Sequence, residues 1–263
     1  MLASHAHGAF LYVHSPESIS LKQGPASLCT LFAERLESGE SRWKGELLER
    51  VDAEARMQYI REMFAPEDDT LRAIRERAYE RGLPKIHVDP AEGRMLQWLL
   101  ATVRARRVVE IGTLGGYSGA WMARALPEGG RLISVEYDPE HAEVARESFR
   151  EAGLADRVEV RVGRAPGALE SLTAEGPFDA VFIDADKPHY ADMLAWATEN
   201  VRLGGLVMAH NAFRRDRVLD PAEHDDPDVR GVRTFNRHMA EDPRLDSVII
   251  PIGDGIAAAI RIG

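Results

Sequence analysis

From Ala26 onward, apolar residues recur at helical spacing. Leu28, Leu31, Phe32 and Leu36 come first, then Leu47, Leu48 and Val51, then Tyr59, Ile60, Met63 and Phe64. Pro66 with Glu67 and Asp68 reads as the first turn of a further helix. Leu71, Ile74 and Ala78 form its apolar face, and Gly82 with Pro84 ends it. Another helix begins near Pro90 and carries Met95, Leu96, Leu99 and Leu100. The stretch before Ala26 has no clean period and contains Gly8, Pro16, Gly24 and Pro25, the pattern of an irregular arm.

The period then changes. Arg107 to Gly112 is a short β-branched run closed by glycine, as expected of a buried strand. Ser118 to Leu126 reads as a helix, Arg131 to Glu136 as a strand, Pro139 to Ala152 as a helix and Val158 to Val162 as a third strand. Phe178 to Asp184 and Gly205 to Ala209 complete five strands in the alternating part. Strands alternating with helices predict a parallel sheet covered on both faces, a doubly wound α/β fold. Ser247 to Pro251 and Ile256 to Ile262 are joined by so short a link that an antiparallel hairpin is expected at the end.

Composition narrows the class without naming a function. A chain of 263 residues with 44% hydrophobic and 29% charged residues is that of a globular protein with one sizeable core. No apolar run reaches the roughly 20 residues that span a bilayer, and no basic-then-apolar leader opens the sequence, so a cytoplasmic protein is expected. The single cysteine, Cys29, rules out an intramolecular disulfide framework and a Cys-rich metal site. A net charge of -10 argues against nucleic acid or an anionic membrane as partner.

Two strand ends carry candidate chemistry. In an open α/β sheet, ligands sit beyond the carboxyl ends of the strands where strand order reverses. The first strand delivers Glu110-Ile-Gly-Thr-Leu-Gly-Gly-Tyr-Ser118 there, and the second ends in Glu136, whose carboxylate suits the two hydroxyls of a ribose. The glycines do not follow the G-x-G-x-x-G spacing that seats a pyrophosphate, and Glu110 beside them favours a cationic ligand. S-adenosylmethionine has a sulfonium and an ammonium and no phosphate, so it fits this corner better than a dinucleotide. A plain glycine turn between strand and helix is the alternative.

The fourth strand ends Asp184-Ala-Asp-Lys-Pro-His-Tyr190 and the fifth ends His210-Asn211. Carboxylates and a lysine at the tip of a buried strand are costly unless they pair, bind a metal or act in catalysis. Asp184, His210 and Asn211 could converge on one divalent ion. Asp186 reads as a loop carboxylate paired with Lys187 or a helix N-terminus.

Together these stretches resemble the cation-dependent O-methyltransferases that include catechol and caffeoyl-CoA O-methyltransferases. Gly163-Arg-Ala165, Pro251-Ile-Gly-Asp-Gly255, Glu67-Asp68 and Asp89-Pro-Ala-Glu-Gly93 match as well. The likeness runs from about residue 60 to 263 and divides the chain into a lineage-specific part, 1–55, and a methyltransferase domain, 56–263. It implies a seven-stranded, mostly parallel sheet of Rossmann-like class I type behind a helical N-terminal extension, and a homodimer. It implies cofactor contacts from Val88, Glu110, Gly112, Thr113, Gly116, Tyr117, Ser118, Glu136, Ala165 and Asp184. Asp184, His210 and Asn211 would hold magnesium, manganese, calcium or a softer ion, and Lys187 would deprotonate a small-molecule hydroxyl acceptor of aromatic or catechol type.

One position departs from the pattern. The family's fifth strand normally ends Asp-Asn, and here it ends His210-Asn211. An imidazole for a carboxylate either shifts the metal preference toward softer ions, or abolishes metal dependence, or makes His210 a general base. A non-catalytic S-adenosylmethionine-binding protein and a nicotinamide-dependent oxidoreductase are the readings from other classes. Residues 212 to 231 read as a charged loop, with Arg214, Arg215 and Arg217 either solvated or gripping an anionic acceptor. Trp43 and Phe64 are expected in the core, and His189 and Tyr190 either line the acceptor pocket or begin a helix.

Overall fold

In a computed structural model, the structure describes residues 53–263. The helices expected around Leu28 to Val51, and Trp43, lie outside the described residues. Three helices lead in: α1 (Ala53–Phe64), α2 (Asp69–Glu80) and α3 (Pro90–Thr102). The expected boundary at residue 55 falls inside α1. Asp68 caps α2 through the Leu71 amide, and Asp89 and Glu92 form a reciprocal capping box on α3, with Pro90 in its first turn.

The alternating part follows as β1 (Arg107–Ile111), α4 (Tyr117–Ala123), β2 (Arg131–Glu136), α5 (Pro139–Glu151), β3 (Val158–Val162), α6 (Gly167–Glu170), β4 (Phe178–Ile183), α7 (Tyr190–Asn200), β5 (Val201–Ala209) and α8 (Pro227–Glu241). It closes with β6 (Leu245–Ile250) and β7 (Ile256–Arg261). The sheet has seven strands in the order β3-β2-β1-β4-β5-β7-β6. The first five are mutually parallel, and β7 runs antiparallel to both β5 and β6, so the terminal pair is the expected hairpin.

Strand alternation explains the two cores. Val108, Ala180, Phe182, Leu206 and Met208 face one side, where Leu96, Leu100, Trp121, Met122 and Phe149 of α3, α4 and α5 cover them. Val109, Ile111, Val181, Ile183 and Val207 face the other, under Tyr190, Leu194, Phe235 and Met239 of α7 and α8. No described helix is long and apolar enough to cross a membrane.

Four local expectations are corrected. The charged segment is a loop with short 3-10 turns only as far as Asp226, and α8 then begins at Pro227 with the Asp226 carboxylate on the Val229 amide. Its stripe of Val229, Val232, Phe235 and Met239 is buried. Helix α4 stops at Ala123 because the Ala125 and Leu126 amides reach Met122 and Ala123, the tightened last turn of a helix end. Strand β5 starts at Val201 rather than Gly205, across an irregularity in its pairing with β4. Phe64 is 63% exposed, not core, because the buried positions of this region lie in α2 and α3.

Candidate active site

Strand order reverses between β1 and β4, where a cleft of about 980 Å³ opens at the strand tips. Backbone bonds beyond the ladders hold those tips side by side: Gly112 to Val135, Asp184 to Ile111, His210 to Ile183 and Gly163 to Glu136. Gly112 has φ +91, and a Cβ there would lie 2.1 Å from the Asp184 carbonyl oxygen. The turn after β1 therefore requires glycine on both conformational and steric grounds. Gly116, also at φ +91, caps α4 and would clash with Phe149 if it carried a side chain.

Most of the residues expected around the nucleoside converge here. Val88, Gly112, Thr113, Tyr117, Ser118, Glu136, Ala165 and Asp184 all line the cleft. Glu136, 4% exposed, accepts from the Thr113 and Leu114 amides at 3.1 and 2.9 Å and from the Asp138 amide at 3.1 Å. A carboxylate offers about four acceptor sites, so capacity for a ribose hydroxyl remains. Tyr117 donates to Glu67 at 2.8 Å, and Glu67 in turn pairs with Arg75. Burial, with the bond to Glu67, pushes the Tyr117 phenol above its usual range.

Glu110 does not sit where expected. It is fully buried on the face of β1 that meets α4, accepts from Ser118 at 2.6 Å and from Ser134, and is not on the cleft wall. It fixes the floor on which Ser118 stands. Burial raises its carboxyl to about 7, against the lowering effect of the serine hydroxyls. A neutral form favoured by folding contributes stability that is whole below the ordinary value of 4.5 and is lost as pH rises through about 7. Glu110→Gln is therefore expected to stabilise the chain by about 3 kcal/mol at pH 8, with the gain fading toward pH 5. Thermal melts at the two pH values check this, and equal shifts at both would contradict it.

The chemical side is built on β4 and β5. Lys187, with a side chain 11% exposed, donates to Asp184 Oδ1 at 2.9 Å, to the Ala185 carbonyl at 3.2 Å and to the Tyr190 hydroxyl at 2.7 Å. It is not a solvated surface lysine. Burial would lower its pKa, but the Asp184 carboxylate outweighs burial and holds it above the usual lysine range. Burial likewise works to raise Asp184, and Lys187 and His210 hold it well below the usual carboxylate range. Tyr190 begins α7 and is buried, whereas His189 is exposed beside Asp192. Asp186 pairs with Arg164 at 3.0 Å rather than with Lys187, because Lys187 turns inward to Asp184.

His210 is 5% exposed, with Nδ1 3.1 Å from Asp184 Oδ2 and Nε2 3.0 Å from Glu92 Oε1. Burial opposes its protonation, but Asp184 and Glu92 raise its pKa to about 10. Asn211 sits at φ +60, a conformation asparagine tolerates, and donates through Nδ2 to Asp254 at 2.8 Å. The expected metal set of Asp184, His210 and Asn211 does not fit a divalent ion. Both His210 nitrogens point at carboxylates, Asp184 is shared between two cationic side chains, and no cluster of metal-binding side chains is present among the described residues.

Glu92 is the residue that sequence reasoning missed. One oxygen completes the capping box with Asp89, and the other holds His210 and the Asp254 amide. A glutamate 2% exposed requires such partners. In the arginine loop, Arg217 is matched by Glu223 and Asp226, and Arg214 by Asp228. Arg215 is exposed at the cleft.

The glycine cradle and the Glu136 carboxylate fit S-adenosylmethionine, and comparisons with known proteins agree. A family model described as O-methyltransferase matches residues 42–262. A catechol O-methyltransferase of Niastella koreensis is 42% identical over 222 residues, 82% of this chain and 98% of its own length. One of Mycobacterium tuberculosis is 45% identical over 68% of this chain and 82% of its own. Among solved structures, a Bacillus cereus O-methyltransferase in complex with S-adenosylhomocysteine superposes with a TM-score of 0.74 at 37% identity, covering 79% of this chain and 97% of that one. A Streptomyces achromogenes O-methyltransferase in complex with S-adenosylmethionine gives 0.73 at 36% identity, with 80% and 96% covered. The nicotinamide reading is thereby set aside, and the chain belongs to the O-methyltransferase family, as an S-adenosylmethionine-dependent O-methyltransferase.

Proposed function

We propose that this methyltransferase acts on a hydroxyl of a small aromatic, catechol-like acceptor, held beyond β4 and β5 with that hydroxyl at Lys187. The observation that carries the reading is the Lys187 ammonium, fixed on the cleft wall by Asp184 and Tyr190. Two relatives named for catechol support the acceptor class. The cofactor, when bound, supplies a methyl group on a sulfonium sulfur. Gly112 gives it room at the backbone, Glu136 takes the ribose, and the buried Ser118 and Tyr117 close the floor.

A phenol ionises near pH ~10, so its nucleophilic anion is scarce at neutral pH. The resemblance casts Lys187 as the base, yet a lysine bonded three times as a donor has no free lone pair. In our reading its positive charge lowers the acceptor's pKa and stabilises the phenolate, while the proton leaves to solvent. His210 has neither nitrogen free to serve as base. Orientation of the oxygen toward the methyl group supplies much of the remaining acceleration.

The test is methyl transfer to a panel of catechol, a monophenol and an aliphatic alcohol, with products separated by mass spectrometry. A methyl ether of catechol is the expected product. Turnover of the aliphatic alcohol alone would overturn the acceptor assignment.

A further inference from the structure

The mismatch between His210 and a metal site leads further, on the footing of the O-methyl transfer reading. We propose that the His210 side chain, clamped between Glu92 and Asp184, occupies the place of a divalent cation, so that this chain works without a bound metal and Glu92 is the positioning residue that makes this possible.

Carboxylates only accept hydrogen bonds, so a ring with a carboxylate at each nitrogen carries a hydrogen on each and has no lone pair for a metal. The imidazolium is held rigidly, because Glu92 is itself fixed from two sides. The Asp89 amide donates to its Oε2 at 2.7 Å and the Asp254 amide to its Oε1 at 2.8 Å. Gly253 makes room for this, since a Cβ there would lie 2.1 Å from Glu92 Oε1.

Charge gives the same answer. Glu92 and Asp184 face Lys187 and His210, two carboxylates against two cations, and the neighbouring Asp254 carboxylate is held by two neutral donors, the Asn211 amide and the Arg215 backbone N–H. A divalent ion added to this set would leave a net positive charge in a buried site. With an aspartate at position 210, three carboxylates would face one ammonium, the imbalance that a hard divalent cation neutralises.

The experiment reads metal binding directly. Metal-stripped enzyme is titrated with manganese and free ion is followed by electron paramagnetic resonance, with S-adenosylhomocysteine present and absent. Wild type is expected to leave the manganese signal undiminished, and its methyl transfer should change less than about twofold between chelator and added magnesium. His210→Asp is expected to bind manganese at least about tenfold more tightly than wild type and to become chelator-sensitive. Glu92→Gln should lower kcat with little change in the KM for S-adenosylmethionine, as befits a residue acting through His210. Stoichiometric manganese binding by wild type, or loss of its activity in chelator with recovery on metal addition, would overturn the proposal. The binding measurement on wild type decides the point even if His210→Asp does not fold. If no hydroxyl is methylated under any condition, the functional reading fails while the manganese titration still reports on the site.

Discussion

Lys187→Met is expected to lower kcat for catechol by about 10³-fold, while the KM for S-adenosylmethionine stays within about twofold. Methionine keeps the length and apolar character of the lysine stem and removes only the ammonium that bonds Asp184, Ala185 and Tyr190. Asp184 retains His210 as partner, so the variant should stay folded at some cost in melting temperature. The acceptor's own acidity gives a second readout. A nitro-substituted catechol ionises without help, so its turnover should fall far less than that of catechol. Equal losses for the two acceptors would mean that Lys187 supports the strand tip and does not act on the hydroxyl.

Gly112→Val is the second large effect. Any side chain there meets the Asp184 carbonyl at 2.1 Å, and the backbone at φ +91 resists a β-branched residue. Relief requires moving the tip of β4 away from β1, which displaces Asp184 and Lys187 together. Catalytic efficiency toward S-adenosylmethionine should drop by at least about 10²-fold, with a stability loss of about 1–3 kcal/mol. Gly153→Ala is the control. Gly153 has a similar left-handed backbone, φ +68, with nothing within 4 Å, so it should lose stability modestly and keep its activity. If both variants behaved alike, the cradle would have no special part in binding.

Where the chain could be read from its sequence, the reason was local. The strands β1, β2 and β4 are short β-branched or aromatic runs whose two faces are both buried, so their apolar continuity is visible without any partner. The glycine turn and the acid at the tip of β2 lie within one βαβ unit, and the structure brings them to one cleft. Helix α8 is hidden because its first turn, Pro227-Asp-Val-Arg-Gly231, continues an acidic run and contains a glycine that looks like a loop residue. Its real cause is distant: a Cβ there would lie 2.1 Å from the Lys187 carbonyl, where α8 packs against the chain after β4. Glu92 was hidden for the same kind of reason. It lies 118 residues from His210, and nothing along α3 points to so distant a partner. Glu110, legible as an acid beside glycines, reads as a ligand contact because a sequence does not say which face of β1 carries it; the alternation with Val109 and Ile111 turns it toward α4.

The central claim is that the cleft where β1 and β4 part holds the methyl donor. Calorimetric titration of the folded protein with S-adenosylhomocysteine tests it most directly. The account predicts saturable binding of one molecule per chain, displaced by S-adenosylmethionine. A flat titration, on protein whose circular dichroism and cooperative melt show it folded, would contradict it.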